Sequence, residues 1–371
     1  MLQIVTYTMK HCYFLFMAVL LFSSCQREND FFAGKLETFS LEGSNKGTVD
    51  ADTIPIDIPF YPTFSVIDSL VFFYSPSAMD YSFTVYDIKN KCLIGKYCPR
   101  GRGHEEYVTH LPITRFFCET EDLKTLLVAS GERRMMIWNI SESLREKKTI
   151  YENVAPFYRE EGLPGPSYVY RLSEDTILSY TGCFRKPSSN ELSPQTYQLR
   201  TYSTDKEIRS YYIHKNTINN KESNLLPENF LIGDKAVKPD GSKMVEAMRY
   251  LPQINIINFR NGRISGFREE TGPDYSIFKT DMKNPTLFYH RVCANDSFVF
   301  ALWAGPEEGS KCSILHVFDW DGHLIKVVKL STHIHELFLD EKNELLYGLR
   351  ANGTNLYRFC LSDMGLQKRF D

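Results

Sequence analysis

Six times along the chain a strand-like apolar run is followed by a second, closed by an aromatic or aliphatic residue and a polar turn, and then by a third. The clearest copies are Leu70–Tyr74, Phe83–Asp87 and Leu93–Tyr97, and later Phe298–Leu302, His316–Asp319 and Leu324–Val328, all read as inner strands of propeller blades. The anchors Tyr86-Asp87, Trp138-Asn139, Tyr202-Ser203, Asn258-Phe259, Phe318-Asp319 and Phe359-Cys360 recur at uneven spacing. Solenoids keep a strict period, whereas propellers keep a strand unit and vary its loops. A strand also precedes each anchor, as in Thr125–Ala129, Thr176–Tyr180, Lys243–Met248 and Leu345–Leu349. Asn261-Gly262 and Asp321-Gly322 are strong hairpin signals. No stretch carries a sustained, capped 3.6-residue period. The expected fold is therefore all-β: a six-bladed β-propeller of four-stranded antiparallel blades.

Open sheet edges invite aggregation, so such a ring has to close. Few residues follow Phe359, barely a last outer strand, while Leu36–Leu41 is an unassigned apolar segment. The expectation is that this N-terminal strand joins the last blade and completes the sheet containing Tyr347 and Tyr357.

With 43% hydrophobic residues in 371, the chain has enough apolar material for one continuous core. Its formal charge of -3, from 43 basic and 46 acidic residues, offers no basic face for nucleic acid. Of the nine cysteines, Cys12 and Cys25 belong to the N-terminal segment. The others, Cys92, Cys98, Cys118, Cys183, Cys293, Cys312 and Cys360, form no CxxC pair and are read as small apolar core residues. Cys92 with Cys98 is the pair to examine for a disulfide.

The N-terminus carries a processing signal. Lys10-His11 precedes the apolar run Cys12–Phe22 and then Ser23-Ser24-Cys25, a run too short to span a bilayer and suited to secretion. Residues 1–8 lack basic charge, so Met9 is an alternative start. The segment resembles the bacterial lipobox, with Phe22 in place of the usual Leu, which implies cleavage before Cys25 and its diacylation. The alternative is an ordinary secretory signal or an uncleaved anchor. The expected division is a signal peptide at 1–24, a lipidated cysteine and tether at 25–35, and a propeller at 36–371. Acyl chains on Cys25 would make the membrane a partner, since each buried methylene contributes about 0.8 kcal/mol. The stretch Gln26–Asp30 resembles the surface-export signal of Bacteroidetes lipoproteins, with a plain solvated tether as the alternative. The expected location is the bacterial outer membrane, on its periplasmic or its exposed face.

Two stretches, Val85–Asp87 through Cys98–Tyr107 and His316–Gly322 through Phe338–Glu341 to Leu346–Leu349, resemble the BF3164-like lipoproteins of Bacteroidetes, within the TolB-like group. The chain has Gly103-His104 where that family usually has Gly-Pro. The resemblance implies an envelope lipoprotein with a six-bladed fold and brings no catalytic residues.

The most polar, glycine-rich loop is Arg100-Gly101-Arg102-Gly103-His104-Glu105-Glu106-Tyr107. Connections of this kind reach the channel mouth, where Arg100 and Arg102, with His104 and Glu105, could hold a carboxylate, sulfate or phosphate. The alternative is a structural turn, since Gly165–Tyr168 and Gly272–Tyr275 hold similar places. His333 and His335 would share one face of a strand, as metal ligands do, but lack a third ligand. Asp319 and Asp321 read as turn chemistry rather than a calcium loop. No nucleophile elbow, HExxH, P-loop or dinucleotide fingerprint occurs. The reading is a non-catalytic propeller, with no cofactor and no metal, that binds a protein, peptide or glycan at its mouth. The alternative is a glycan-active or other hydrolase or lyase using the same face.

Overall fold

The computed structural model describes residues 31–56, 63–75, 78–156, 165–185, 192–215, 231–279, 285–304, 312–350 and 353–366. Cys25 and the expected signal segment lie outside them. Three strands lead the chain: β1 (Lys35–Phe39), β2 (Lys46–Val49) and β3 (Asp52–Pro55). Blade 1 is β4–β7 (Thr63–Ile67, Leu70–Tyr74, Tyr81–Asp87, Cys92–Pro99), and blade 2 is β8–β11 (Phe116–Glu119, Asp122–Ala129, Arg134–Asn139, Tyr151–Pro156). Blade 3 runs β12 (Tyr168–Arg171), β13 (Thr176–Thr181), β16 (Thr196–Thr201) and β17 (Glu207–Tyr211), with a small β14–β15 hairpin (Phe184–Arg185, Leu192–Ser193) inserted. Blade 4 is β18–β21 (Gly233–Val237, Lys243–Met248, Gln253–Asn258, Ile264–Glu269) and blade 5 is β22–β25 (Tyr289–Ala294, Phe298–Trp303, Ser313–Asp319, Leu324–Leu330). Blade 6 takes β26–β28 (Glu336–Asp340, Leu345–Leu349, Asn355–Cys360) and, on its outer edge, β3. The architecture is a six-bladed propeller of four-stranded antiparallel blades.

The conspicuous apolar runs are not the innermost strands. Leu70–Tyr74 and Phe298–Leu302 lie in second strands, Phe83–Asp87 and His316–Asp319 in third strands, and Leu93–Tyr97 and Leu324–Val328 in fourth strands. The reason is burial. Second and third strands are covered by a neighbouring blade on each face, so both sets of side chains are apolar, as in β5, where Val71, Phe72 and Phe73 are all buried. First strands face the channel along one edge and are mixed in character.

Closure also differs in detail from the expectation. The last blade is completed by β3, antiparallel to β28 with Ile54 opposite Leu356 and Asp52 opposite Arg358. Leu36–Leu41 does not do this. Instead β1 runs parallel to β21 as a fifth strand on blade 4, and β2 runs parallel to β25 on blade 5. Its apolar residues suit that place: Leu36 packs between blades 3 and 4, and Phe39 meets Phe318 at 5.2 Å between blades 4 and 5. The fold also begins before Leu36, because Phe32 is buried against blades 3 and 4.

Packing concentrates between blades. Trp138 is wholly buried between blades 1 and 2, with Phe83 at 5.3 Å and Phe72 at 5.7 Å, and its indole N–H donates to Ser143 Oγ at 3.0 Å. Ser143 belongs to a two-turn helix, α1 (Ile140–Glu146), capped by Asn139, whose side chain accepts from Glu142 N at 2.9 Å. Hairpin turns use the chemistry expected of them. Asp319 Oδ1 accepts from Asp321 N and His323 N, and Gly322 takes φ +89, where a Cβ would meet Phe267 at 2.2 Å. Cys92 and Cys98 form no disulfide; Cys92 is exposed and Cys98 buried, at opposite ends of β7.

Candidate functional site: the channel and its mouth

Each blade passes up and down four times. Every connection from a fourth strand to the next first strand therefore falls at one end of the barrel, here called the mouth. The loop Arg100–Tyr107, residues 212–215 after β17 and the short 3-10 helix Tyr275–Lys279 after β21 all lie there.

A cavity of about 360 Å³ occupies the channel, lined along β4, β12, β18, β22 and β26 and by residues 110–116 ahead of and into β8. Its polar wall is built across three blades by Arg291. Its Nε donates to Glu336 Oε2 at 2.7 Å and its Nη2 to Glu336 Oε1 at 2.6 Å, while Nη1 lies 3.6 Å from Asp234 Oδ1. Asp234 also accepts from Val292 N at 2.8 Å. Glu336 opens β26, Arg291 is the third residue of β22 and Asp234 the second of β18, so the three first strands bring them together on one wall.

Burial holds the Glu336 carboxyl above its ordinary pKa and outweighs the nearby guanidinium. Burial also works against the Arg291 cation, yet Asp234 and Glu336 leave it above its usual value. The two directions differ because Arg291 faces two carboxylates, whereas Glu336 has the Asp234 charge beside it as well as the guanidinium. His290, one residue before, is pushed down to about 4 by burial and then by Arg249, Arg291, His335 and His333.

The opposite wall carries His110. It is reachable from the channel, and its ring packs edge-on against Tyr74 at 4.4 Å. Loss of water, and then the Arg100 charge, push it down to about 4.

Arg100 donates from Nη2 to Val108 O at 2.8 Å and lies beside Tyr74, so it braces its own loop. Arg102, His104 and Glu105 are exposed, and none of the four lines the cavity. The Glu105 charge acts on Tyr107 and Tyr151. The loop is held by Glu106 and Glu132: Gly103 N donates to Glu106 at 2.9 Å, and Val108 N donates to Glu132 at 2.7 Å. A Cβ on Gly101 would fall 1.9 Å from Glu106 Oε2, which is why glycine stands there. His333 and His335 do not share a strand face; they precede β26 in a loop, with His333 Nδ1 3.4 Å from Ser313 Oγ and His335 N donating to Leu349 O. Among the described residues no group of three His, Cys, Asp or Glu is disposed to hold a metal. Asp234, Arg291 and His110 carry no linear motif, since their relation exists only once six strands converge.

The fold and channel define a six-bladed β-propeller with a walled central cavity. No known family profile and no curated protein matches the chain. Among solved structures, it is similar to a member of the DUF4221 family from Bacteroides vulgatus, with 12% identity over 84% of this chain and 95% of that one and a TM-score of 0.51. Raptor from Chaetomium thermophilum is matched at 10% identity over 84% of this chain and 29% of that one, with a TM-score of 0.49.

Proposed function

We propose that the chain is a BF3164-like, outer-membrane lipoprotein anchored through Cys25, whose TolB-like propeller binds a ligand or a segment of a partner protein in its channel without catalysing a reaction. The observation that carries this reading is the cavity of about 360 Å³ with one organised polar wall. Concave sites of a few hundred Å³ with few, fixed polar groups are the usual form of ligand sites. Binding is favoured over catalysis because Glu336 and Asp234 are both engaged by Arg291, which makes a fixed charge pattern rather than a free acid and base.

The test is thermal unfolding of the detergent-solubilised full chain with divalent metals, acidic and neutral oligosaccharides and short peptides. Saturable stabilisation, abolished by filling the mouth with Thr63→Trp, would support the reading through binding linkage. Stabilisation that survives Thr63→Trp would place the ligand elsewhere. Turnover of a stabilising glycan would favour the hydrolase or lyase alternative, with His110 the first residue to change. No shift across the panel would turn the search to a protein partner, by crosslinking in intact cells.

A further inference from the structure

The N-terminal segment is fastened at a particular point on the propeller. Lys215 N donates to Phe31 O at 2.8 Å and Ala33 N donates to Ile213 O at 2.8 Å, so residues 31–33 run antiparallel to 213–215. Phe31 stacks on Tyr275 at 6.0 Å, and Phe32 is buried beside Tyr275 and His214. Residues 213–215 leave β17 in the direction of the mouth. Because the pairing is antiparallel, the chain upstream of Phe31 departs at the mouth end too, on the rim between blades 3 and 4.

Cys25 lies six residues before Phe31. A fully extended chain gains at most about 3.6 Å per residue, so this stretch reaches about 20 Å. That is too short to carry the anchor around the barrel to its other end. The mouth end also carries three of the large apolar side chains left exposed among the described residues. Met79 (95% exposed), Val108 (51%) and Tyr212 (45%) stand on its loops, which also carry exposed Lys215 and Arg102. An amphipathic rim with basic residues suits a lipid headgroup layer.

We infer that the propeller sits with its channel mouth toward the membrane, the rim from Tyr212 to Met79 resting against the lipid surface. This rests on acylation of Cys25 in the proposed function. The ligand would then be drawn from, or handed to, the space next to the bilayer.

The test uses the full chain with its native N-terminus, reconstituted in vesicles of phosphatidylethanolamine and phosphatidylglycerol. Exposed Cys92 and Cys118 are replaced by serine, and a fluorophore is attached at Met79→Cys on the mouth end or Lys89→Cys in the β6–β7 turn at the other end. Headgroup-nitroxide lipid should quench the Met79→Cys label at least threefold more than the Lys89→Cys label. Equal quenching, or the reverse order, in protein that floats with the vesicles and incorporates labelled palmitate would overturn the orientation alone. Absence of palmitate labelling, or flotation unchanged by Cys25→Ala, would overturn the anchor and the orientation with it.

Discussion

Replacing Arg291 by Met tests whether the channel wall is held by charge. Arg291 bonds both oxygens of Glu336 and sits near Asp234, while the Glu336 side chain is 10% exposed. Removing the guanidinium leaves a buried carboxylate unpaired, a loss of about 3–5 kcal/mol in general. Arg291 is itself 28% exposed, so water softens the effect toward the lower figure, about 3 kcal/mol. For a propeller of this length the entropy of unfolding near the midpoint is about 0.7 kcal/mol/K, so the melting temperature should fall by about 4 °C. The deficit should depend on pH with a definite sign. Glu336 is already raised in the fold, and without Arg291 it rises further. A carboxyl raised above its unfolded value favours the fold when protonated, and that contribution is lost as pH rises through the folded value. The deficit relative to wild type should therefore be full at pH 8 and shrink toward pH 5. Adding Glu336→Gln should recover most of it, because the unpaired charge is gone. Urea unfolding of the wild type, the single variant and the double variant at both pH values measures all three. A loss below about 1 kcal/mol at pH 8, or an equal loss at the two pH values, would refute the reasoning.

Burial keeps three further histidines neutral, His214 and His290 at about 4 and His316 at about 3, so the fold should lose stability as pH falls from the unfolded value near 6.5 toward 4. A urea midpoint that stays flat from pH 7 to 4.5 would contradict this, and His316→Gln should lessen the slope. Arg100→Ala should raise the His110 titration from about 4, because a neighbouring cation is removed, whereas Arg102→Ala should leave it in place; proton NMR of the imidazole reads both. A Cβ on Gly266 would meet the Phe32 ring at 2.8 Å and Leu36 Cδ1 at 3.0 Å, so Gly266→Val should loosen the N-terminal segment. Trypsin cleavage after Lys35, followed by mass spectrometry, should quicken about tenfold, and an unchanged rate would mean that β1 is held without this contact.

What the sequence disclosed, and what it hid, follow from where each strand lies. Second and third strands are packed on two faces, so β5 and β23 stand out as unbroken apolar runs and β9 and β19 as apolar runs broken by one or two polar residues, which together reveal the blade repeat. β2, reading Lys-Gly-Thr-Val, and β3, reading Asp-Thr-Ile-Pro, cover outer edges and bury little, so neither announces a strand; the closing role falls on the weakest of the three N-terminal segments. Leu36 and Phe39 are apolar because β1 fills the grooves beside blade 4, a demand indistinguishable from that of a closing strand until the pairing is seen. The site was hidden for a related reason. Glycines and arginines made Arg100–Tyr107 conspicuous, yet the glycines make room for Glu106 and Arg100 braces Val108. Asp234, Arg291 and Glu336 lie on the mixed first strands, widely separated in the chain and adjacent only around the axis. In a propeller, local composition marks the packing between blades, while recognition is assembled from single residues contributed by many blades. Charged residues within first strands, such as Asp234, Arg291 and Glu336, are therefore better guides to the channel than its most polar loop.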